Sequence, residues 1–581
     1  MKKYLFIALA ALGFAACEEK IGDQPHSGEV EQSYIAINLM SADLDTRATE
    51  DFDLGTDAER AIKTAYFFFF DKNGGAFTVN QSNAAATAPK GETNYLTIAI
   101  DNGTSNNSAN NVSDIKNAVL ILNTYKGLYP DKVVAVLNWV PSTEKKTYTL
   151  DELKEQLATI VNDSNGFVMS NSVYMHADGT IADAVPITAD NIKTDANAAL
   201  VAPVNIYVER VAAKVIVSAS GDNDNTDSDI IFNTTKQSDL IDILSGSTQT
   251  NVYVKLLGWE LYNDYNQSYI IKNIADSWTD DNLGFVWNDR PKYRSYWTKS
   301  QSAEHNDNFA WSYNDTDKKT KGFKTEYGFN IAAQNIDNTM YTYCGENTNQ
   351  VTKSGDVITS DPRTKVILKG QLMQKDNDSY KPLELARWYG NEYAGNENLR
   401  KAVVNSLRHT LFYKESDSKY TSVNYDDIIC VNASSLGGKA YEVVFQLSTI
   451  GKAKEWYKYS SENGYQYIGE SSIDNDNYNK TNEYLKSVEP AILYSNGQTY
   501  YIVDIEHLGK DDTGTKYGIV RNHVYQIDIK SITGYGSPGF SDIGNIVTPP
   551  EYPEYDDKSY VSAKINVLSW KVVKQEVNIV K

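Results

Sequence analysis

The sequence predicts an all-β fold of antiparallel β-sandwiches with minor helices, and three observations carry that expectation. Of 581 residues, 41 are tyrosine and 12% are aromatic, a composition suited to half-buried positions on pleated sheets. Many short runs alternate apolar and polar side chains with a period of two. Turn-forming pairs such as Asn-Gly, Asp-Asn and Ser-Asn interrupt those runs.

Strands are expected, in order, at residues 33–39 (SYIAINL), 65–70 (AYFFFF), 95–100 (YLTIAI), 132–140 (KVVAVLNWV) and 204–217 (VNIYVERVAAKVIV). Later ones fall at 252–261, 365–372, 440–447, 500–505, 523–532 and 560–580. Helical patterns cover residues 150–161 (LDELKEQLATIV), with Thr149 as N-cap, and 396–407 (NENLRKAVVNSL). The acidic stretch 221–229 (GDNDNTDSD) suggests a boundary between an N-terminal domain, 48–235, and a larger C-terminal domain, 236–548. Asp222, Asp224 and Thr226 alternate like calcium ligands. However, Asp227 stands where such a loop needs Gly and Asn233 where it needs Glu, so this is a solvated loop. Asp474 and Asp476 are read the same way.

The amino terminus reads as an export signal. Lys2 and Lys3 precede an apolar run over residues 4–16, too short for a stable membrane-spanning helix. It stops at Cys17, behind Phe14, Ala15 and Ala16. The small Ala pair suits a lipoprotein signal peptidase, although Phe14 replaces the usual Leu. Residues 1–17 are therefore expected to be a lipoprotein signal, with Cys17 as the lipidated residue. The net charge of −21, without a basic stripe, argues against nucleic acid as a partner. Beyond Cys17 only Cys344 and Cys430 remain; one disulfide or two free thiols both fit.

Nothing in the sequence builds a catalytic or metal site, so no enzyme, cofactor or metal is expected. The six histidines, at positions 26, 176, 305, 409, 507 and 523, include no pair spaced as a zinc-binding helix face. Residues 535–539 (YGSPG) approach a nucleophile elbow, but Tyr535 replaces its first glycine and the segment reads as a turn. His507 and His523, near strand ends, read as structural residues with satisfied hydrogen bonds. The tyrosines suit half-buried strand positions and, alternatively, a glycan-binding surface.

The informative features lie at the two ends. Tyr34, Ile35, Ile37 and Leu39 form a strand pattern, followed by Arg47 and Ala48 in an acidic segment. Arg47 is the sole Lys or Arg between Lys20 and Arg60. An arginine-specific protease cutting between Arg47 and Ala48 would release the preceding strand and leave a sandwich with a missing edge. At the other end, Pro549, Pro550 and Pro553 form a stiff spacer. Beyond it Val561, Ala563, Ile565 and Val567 keep one phase, Leu568, Trp570 and Val572 the other, and Val573, Val577 and Ile579 return to the first. Such a strand can add to an open sheet edge of a neighbour. Alternatively, the two terminal strands pair within one monomer.

On these residues the chain resembles the Bacteroidetes fimbrillins, specifically the major subunit of short (minor) fimbriae, a type V pilin. The resemblance rests on residues 208–217 (VERVAAKVIV), 519–536 (IVRNHVYQIDIKSITGYG) and 562–573 (SAKINVLSWKVV). Weaker signs are 166–171 (GFVMSN) and 346–348 (ENT). Glu18, Glu19 and Lys20 also resemble the surface-export signal of Bacteroidetes lipoproteins. The resemblance implies two transthyretin-like β-sandwich domains and a propeptide, 18–47, removed after Arg47 with its first strand. It implies a donor region, 549–581, that fills the groove of the next copy by donor-strand exchange. A lipidated precursor at the outer membrane and a mature extracellular fimbria follow. Expected partners are copies of the chain itself, anchor and tip subunits, the processing protease, and an unidentified host or bacterial surface ligand, in support of adhesion and biofilm formation. The alternatives are a monomeric surface lipoprotein that binds glycan or a host ligand, and an anchor or tip accessory subunit.

Overall fold

The computed structural model describes residues 30–41, 52–53, 59, 61–81, 92–99, 117–162, 166–175, 181–219, 230–238, 250–262, 265, 267–273, 298–300, 341–349, 352–354, 357–360, 362–436, 438, 441–468, 479–507, 517–538 and 560–570. Within them the chain is all-β, organised in several sheets around three hydrophobic cores.

The first core lies against a sheet whose strands run in the order Ile192–Lys193, Val30–Ser41, Val204–Arg210, Met169–Asn171, Lys132–Leu137, Thr64–Phe70 and Tyr95–Ala99, with Asn117–Tyr125 also paired to Val30–Ser41. Phe67, Phe68, Phe69 and Phe70 are all buried, as expected of a strand covered on both faces. The strand Lys132–Leu137 stops before the expected residue 140. Asn138 turns into the left-handed region (φ 57), its amide donating to the carbonyls of Ala61 and Phe167, both at 2.8 Å.

The expected helix over 150–161 is one short turn, Leu150–Lys154, followed by the strand Leu157–Thr159. Its cap is as read: Thr149 Oγ1 accepts from Glu152 N at 3.1 Å and Glu152 Oε2 accepts from Thr149 N at 2.9 Å. Propensity would continue the helix, but Ala158 is buried in the first core and its strand pairs with Gln267–Tyr269. Tertiary pairing overrides local preference here.

The expected single strand over 204–217 is two strands in two sheets. Val204–Arg210 closes the first sheet, and Ala212–Ala219 enters a second, in the order Phe52–Asp53, Tyr560–Trp570, His523–Thr533, Ala212–Ala219, Tyr341–Gly345. Packed against it is a sheet ordered Ile230–Ser238, Thr250–Tyr262, Lys365–Asp376, Gln498–Asp504, Ser537–Pro538. The two contribute Val215, Ile527 and Val217 from one side and Val254, Leu368 and Tyr501 from the other to the second core, a sandwich in form. The change of sheet thus falls at Val211, upstream of residue 235.

Between Lys365–Asp376 and Gln498–Asp504 the chain builds a third core. It combines the helix Gly395–Leu407 with two antiparallel sheets. One is ordered Asn391–Ala394, Leu385–Trp388, Ala491–Tyr494, Glu442–Leu447, Ile428–Asn432; the other Lys419–Ser422, Leu411–Ser416, Trp456–Ser460, Gly464–Tyr467. This inserted lobe was not expected from the sequence. The acidic loops at 221–229 and at Asp474 and Asp476, and the proline spacer, lie outside the described residues.

Candidate functional site

The strand Val30–Ser41 sits inside its sheet and not at an edge. On one side it pairs antiparallel with Asn117–Tyr125 from Val30↔Tyr125 to Asn38↔Asn117. On the other it pairs antiparallel with Ile192–Lys193 through Tyr34 and Ile35, and parallel with Val204–Arg210 from Ile37↔Val204 to Ser41↔Val208. Ile35, Ile37 and Leu39 point into the first core and are buried. Tyr34 belongs to the opposite phase; it is half-buried and donates its hydroxyl to Gln32 Oε1 at 3.2 Å. Near the strand's start, Glu31 Oε1 accepts from Tyr129 Oη at 2.7 Å and from Gly127 N at 3.0 Å. These two donors hold its carboxyl below the ordinary carboxylate range.

Burying Ile35, Ile37 and Leu39 contributes about 1.5–3 kcal/mol each, so this strand is integral to its core. Its removal would strip the backbone partners from two neighbouring strands at once, a costly state unless another strand takes the place.

The strand Tyr560–Trp570 pairs antiparallel with His523–Thr533, from His523↔Ser569 to Thr533↔Tyr560, with one register shift between Ile529 and Ser531. Among the described residues its other neighbour is the two-residue strand Phe52–Asp53, in parallel through Ser569 and Trp570. Val561, Ala563, Ile565, Val567, Leu568 and Trp570 all lie on this strand. The two terminal strands belong to different sheets, so they do not pair with each other. Cys17, Arg47, Ala48, Val572, Val573, Val577 and Ile579 lie outside the described residues.

The blocks 166–171, 208–217, 346–348 and 519–536 are brought together in space where the first two cores meet. Arg521 forks onto Glu346, with Nε and Nη2 donating to Oε2 at 3.0 and 2.8 Å. It also donates to the carbonyls of Ile270 at 3.1 Å and Tyr269 at 2.7 Å. Asn522 (φ 57) accepts from Arg210 N at 3.2 Å and donates its backbone N–H to Ala212 O at 2.7 Å, spanning the change of sheet. Glu209 Oε2 accepts from Ser172 Oγ at 3.1 Å, and its other oxygen lies 3.7 Å from Lys272 Nζ. Glu59 joins the same junction: its carboxylate meets Lys214 Nζ at 3.2 Å and Tyr343 Oη at 2.5 Å, and its carbonyl accepts from Arg210 Nε at 2.8 Å.

These charges are almost fully buried. Burial raises the Glu346 carboxyl, but the charges of Arg521 and Lys272 outweigh it and hold the group below its ordinary range. This clamp was missed at the sequence level. Its available signal was the presence of charged residues inside otherwise apolar strand runs, such as Glu209, Arg210 and Lys214 within 204–217. Such residues are rarely fully buried unless paired.

Both histidines near the C-terminal strands are buried and bonded, His523 Nδ1 to Arg521 O at 2.7 Å and His507 Nδ1 to Tyr525 Oη at 2.9 Å. Cys344 and Cys430 form no disulfide; Cys344 is buried and Cys430 half-buried. Burial pushes the Cys430 thiol up to about 12.

The sheets define an all-β protein. Residues 492–576 match the family model for the major fimbrial subunit protein type IV, fimbrillin, C-terminal region. Through that region the C-terminal part of the chain is similar to the fimbrillins. No curated protein matches the chain. Among solved structures, a proposed cell adhesion protein from Parabacteroides distasonis is similar at 11% identity and TM-score 0.37, covering 94% of this chain and 98% of that one. The tip fimbrial protein Mfa3 from Porphyromonas gingivalis, truncated at its C-terminus, has 11% identity and TM-score 0.28, covering 93% and 100%. A fimbrial assembly protein from Parabacteroides distasonis has 12% identity and TM-score 0.26, covering 74% and 100%.

Proposed function

We propose that the chain is a structural stalk subunit of a surface fimbria that supports adhesion and biofilm formation, delivered as a lipoprotein through Cys17 and matured by cleavage between Arg47 and Ala48. Cleavage frees Val30–Ser41 from its covalent tie to the rest of the chain. Its departure opens a groove between Asn117–Tyr125 and Val204–Arg210, and the C-terminal donor region of another copy fills it. The lipid leaves with the propeptide, so Cys17 acts as a delivery tether. Anchor and tip subunits end the polymer.

The observation that carries this reading is the interior position of Val30–Ser41: a strand paired on both sides, buried on one face, and followed by the short segment that contains Arg47. Strand addition is a known recognition mode whose main-chain bonds give affinity and whose alternate side chains give register. The test uses the chain lacking residues 1–17. An arginine-specific protease should yield a new N-terminus at Ala48 and detergent-resistant oligomers. A clean cut that leaves only monomers would rule out strand exchange.

A further inference from the structure

The inserted lobe carries an aromatic surface that the strand-exchange scheme does not use. In the four-stranded sheet of that lobe, inward residues Leu411 and Trp456 enter the third core. The outward phase should by the usual alternation be polar. Instead it holds Phe412, Tyr420, Tyr457, Tyr459, Tyr465 and Tyr467. Phe412 lies opposite Tyr457, Tyr457 opposite Tyr467 and Tyr459 opposite Tyr465. Tyr420 and Tyr465 stack at 3.9 Å with 5° between their planes, and Phe412 meets Tyr465 edge-on at 5.2 Å. Tyr459, Tyr465 and Tyr467 remain 38%, 41% and 44% exposed.

We propose that this face binds a neutral oligosaccharide. Three properties select that ligand. Five of the six rings carry a hydroxyl, so the surface is apolar at the ring and hydrogen-bonding at the rim. This matches a sugar ring, with its C–H face and hydroxyl edge, better than an aliphatic protein patch. Second, the neighbouring lysines Lys414 and Lys419 are paired, with Asp417 at 2.9 Å and Glu415 at 2.7 Å, and Glu455 adds a carboxylate that accepts from Tyr457 Oη at 3.4 Å. No uncompensated cation remains in these pairs for an acidic glycan, and the net charge of −21 repels one. Third, four strands at about 4.8 Å spacing and a few residues of length make a face of roughly 200 Å². A standard protein interface takes about 800 Å² per partner, so the face is small for a second protein and adequate for a short run of sugar rings.

The inference stands whether or not strands are exchanged. Its test is titration of the full chain with lacto-N-neotetraose and with chitotetraose, followed by saturation-transfer NMR and calorimetry. At least one sugar should bind with Kd of about 0.1–1 mM, a weak affinity of about −4 to −5.5 kcal/mol. The Tyr420→Ala/Tyr465→Ala variant should bind at least about tenfold more weakly. Tyr465→Phe, which keeps the ring, should retain most of the binding, and a parental urea midpoint for the double variant separates loss of the rings from misfolding. Tyr389→Ala, at an exposed position outside this sheet, should be unchanged. The proposal is overturned if neither sugar saturates in the millimolar range, or if Tyr420→Ala/Tyr465→Ala binds like the parent. It is equally overturned if that variant alters self-association of the chain in sedimentation and leaves sugar binding intact.

Discussion

The exchange scheme predicts that Ile37→Ala weakens the precursor but not the polymer. Ile37 is fully buried in the first core and sits where its strand is paired on both sides, opposite Ala118 and Val204. Truncating such a residue costs about 2–5 kcal/mol in lost transfer energy and cavity. That is tolerable against a total of about 5–15 kcal/mol for a folded domain. In urea unfolding of the chain lacking residues 1–17, the midpoint should fall accordingly with an unchanged slope. After cleavage at Arg47 the same loss acts on the departing strand. If its full amount is felt when the strand leaves, even 2 kcal/mol speeds departure about 30-fold, and the oligomer ladder should appear sooner. The finished polymer contains no residue 37, so its resistance to denaturant should equal that of the parent. If the mature oligomers are destabilised as much as the precursor, or the ladder grows at the parental rate, the released-strand argument fails.

Further outcomes are expected at the C-terminal strand, the buried ion pair and the two cysteines. Truncation before Tyr560 should abolish the ladder while a folded monomer remains by circular dichroism. Truncation after Trp570 separates the strand paired with His523–Thr533 from the residues beyond it, and a ladder surviving this cut would remove Val572, Val573, Val577 and Ile579 from the donor. Arg521→Met should destabilise the chain by about 3–5 kcal/mol in urea, because it leaves the Glu346 carboxylate buried without its main partner; adding Glu346→Gln should recover much of that loss. Glu346 has a depressed folded-state pKa, so its contribution is present above its unfolded value near 4.5 and is lost as pH falls through the folded value. A urea midpoint that declines in acid for the parent, and less so for Glu346→Gln, checks this. Finally, in the chain lacking residues 1–17, Cys344 and Cys430 should react slowly with a thiol reagent at pH 8 and rapidly in urea, since one is buried and the other's pKa is raised to about 12.

The strands were largely legible in the sequence because a period of two is a local property. Residues 523–532 and 65–70 were expected to within a residue or two of the observed His523–Thr533 and Thr64–Phe70. The misses share a cause. The run 204–217 reads as one strand pattern, yet its two halves serve different sheets, and the hydrogen bonds that span the break come from Asn522, more than three hundred positions away. The helix expected over 150–161 yields to a strand partner at Gln267–Tyr269. The tyrosines, read as either structural or ligand-facing, divide by location: Tyr525 is buried beside His507, whereas Tyr465 stands on an outer face.

By itself, then, the sequence determined the all-β class and the strand character of residues 33–39 and 560–570. Only the tertiary structure decided that Val30–Ser41 lies between two strands, that Tyr560–Trp570 joins a different sheet, and that Arg521 and Glu346 close the junction between cores. Side-chain periodicity specifies which face of a strand is apolar. Which distant strand supplies its hydrogen bonds is settled only when the packed cores bring them together.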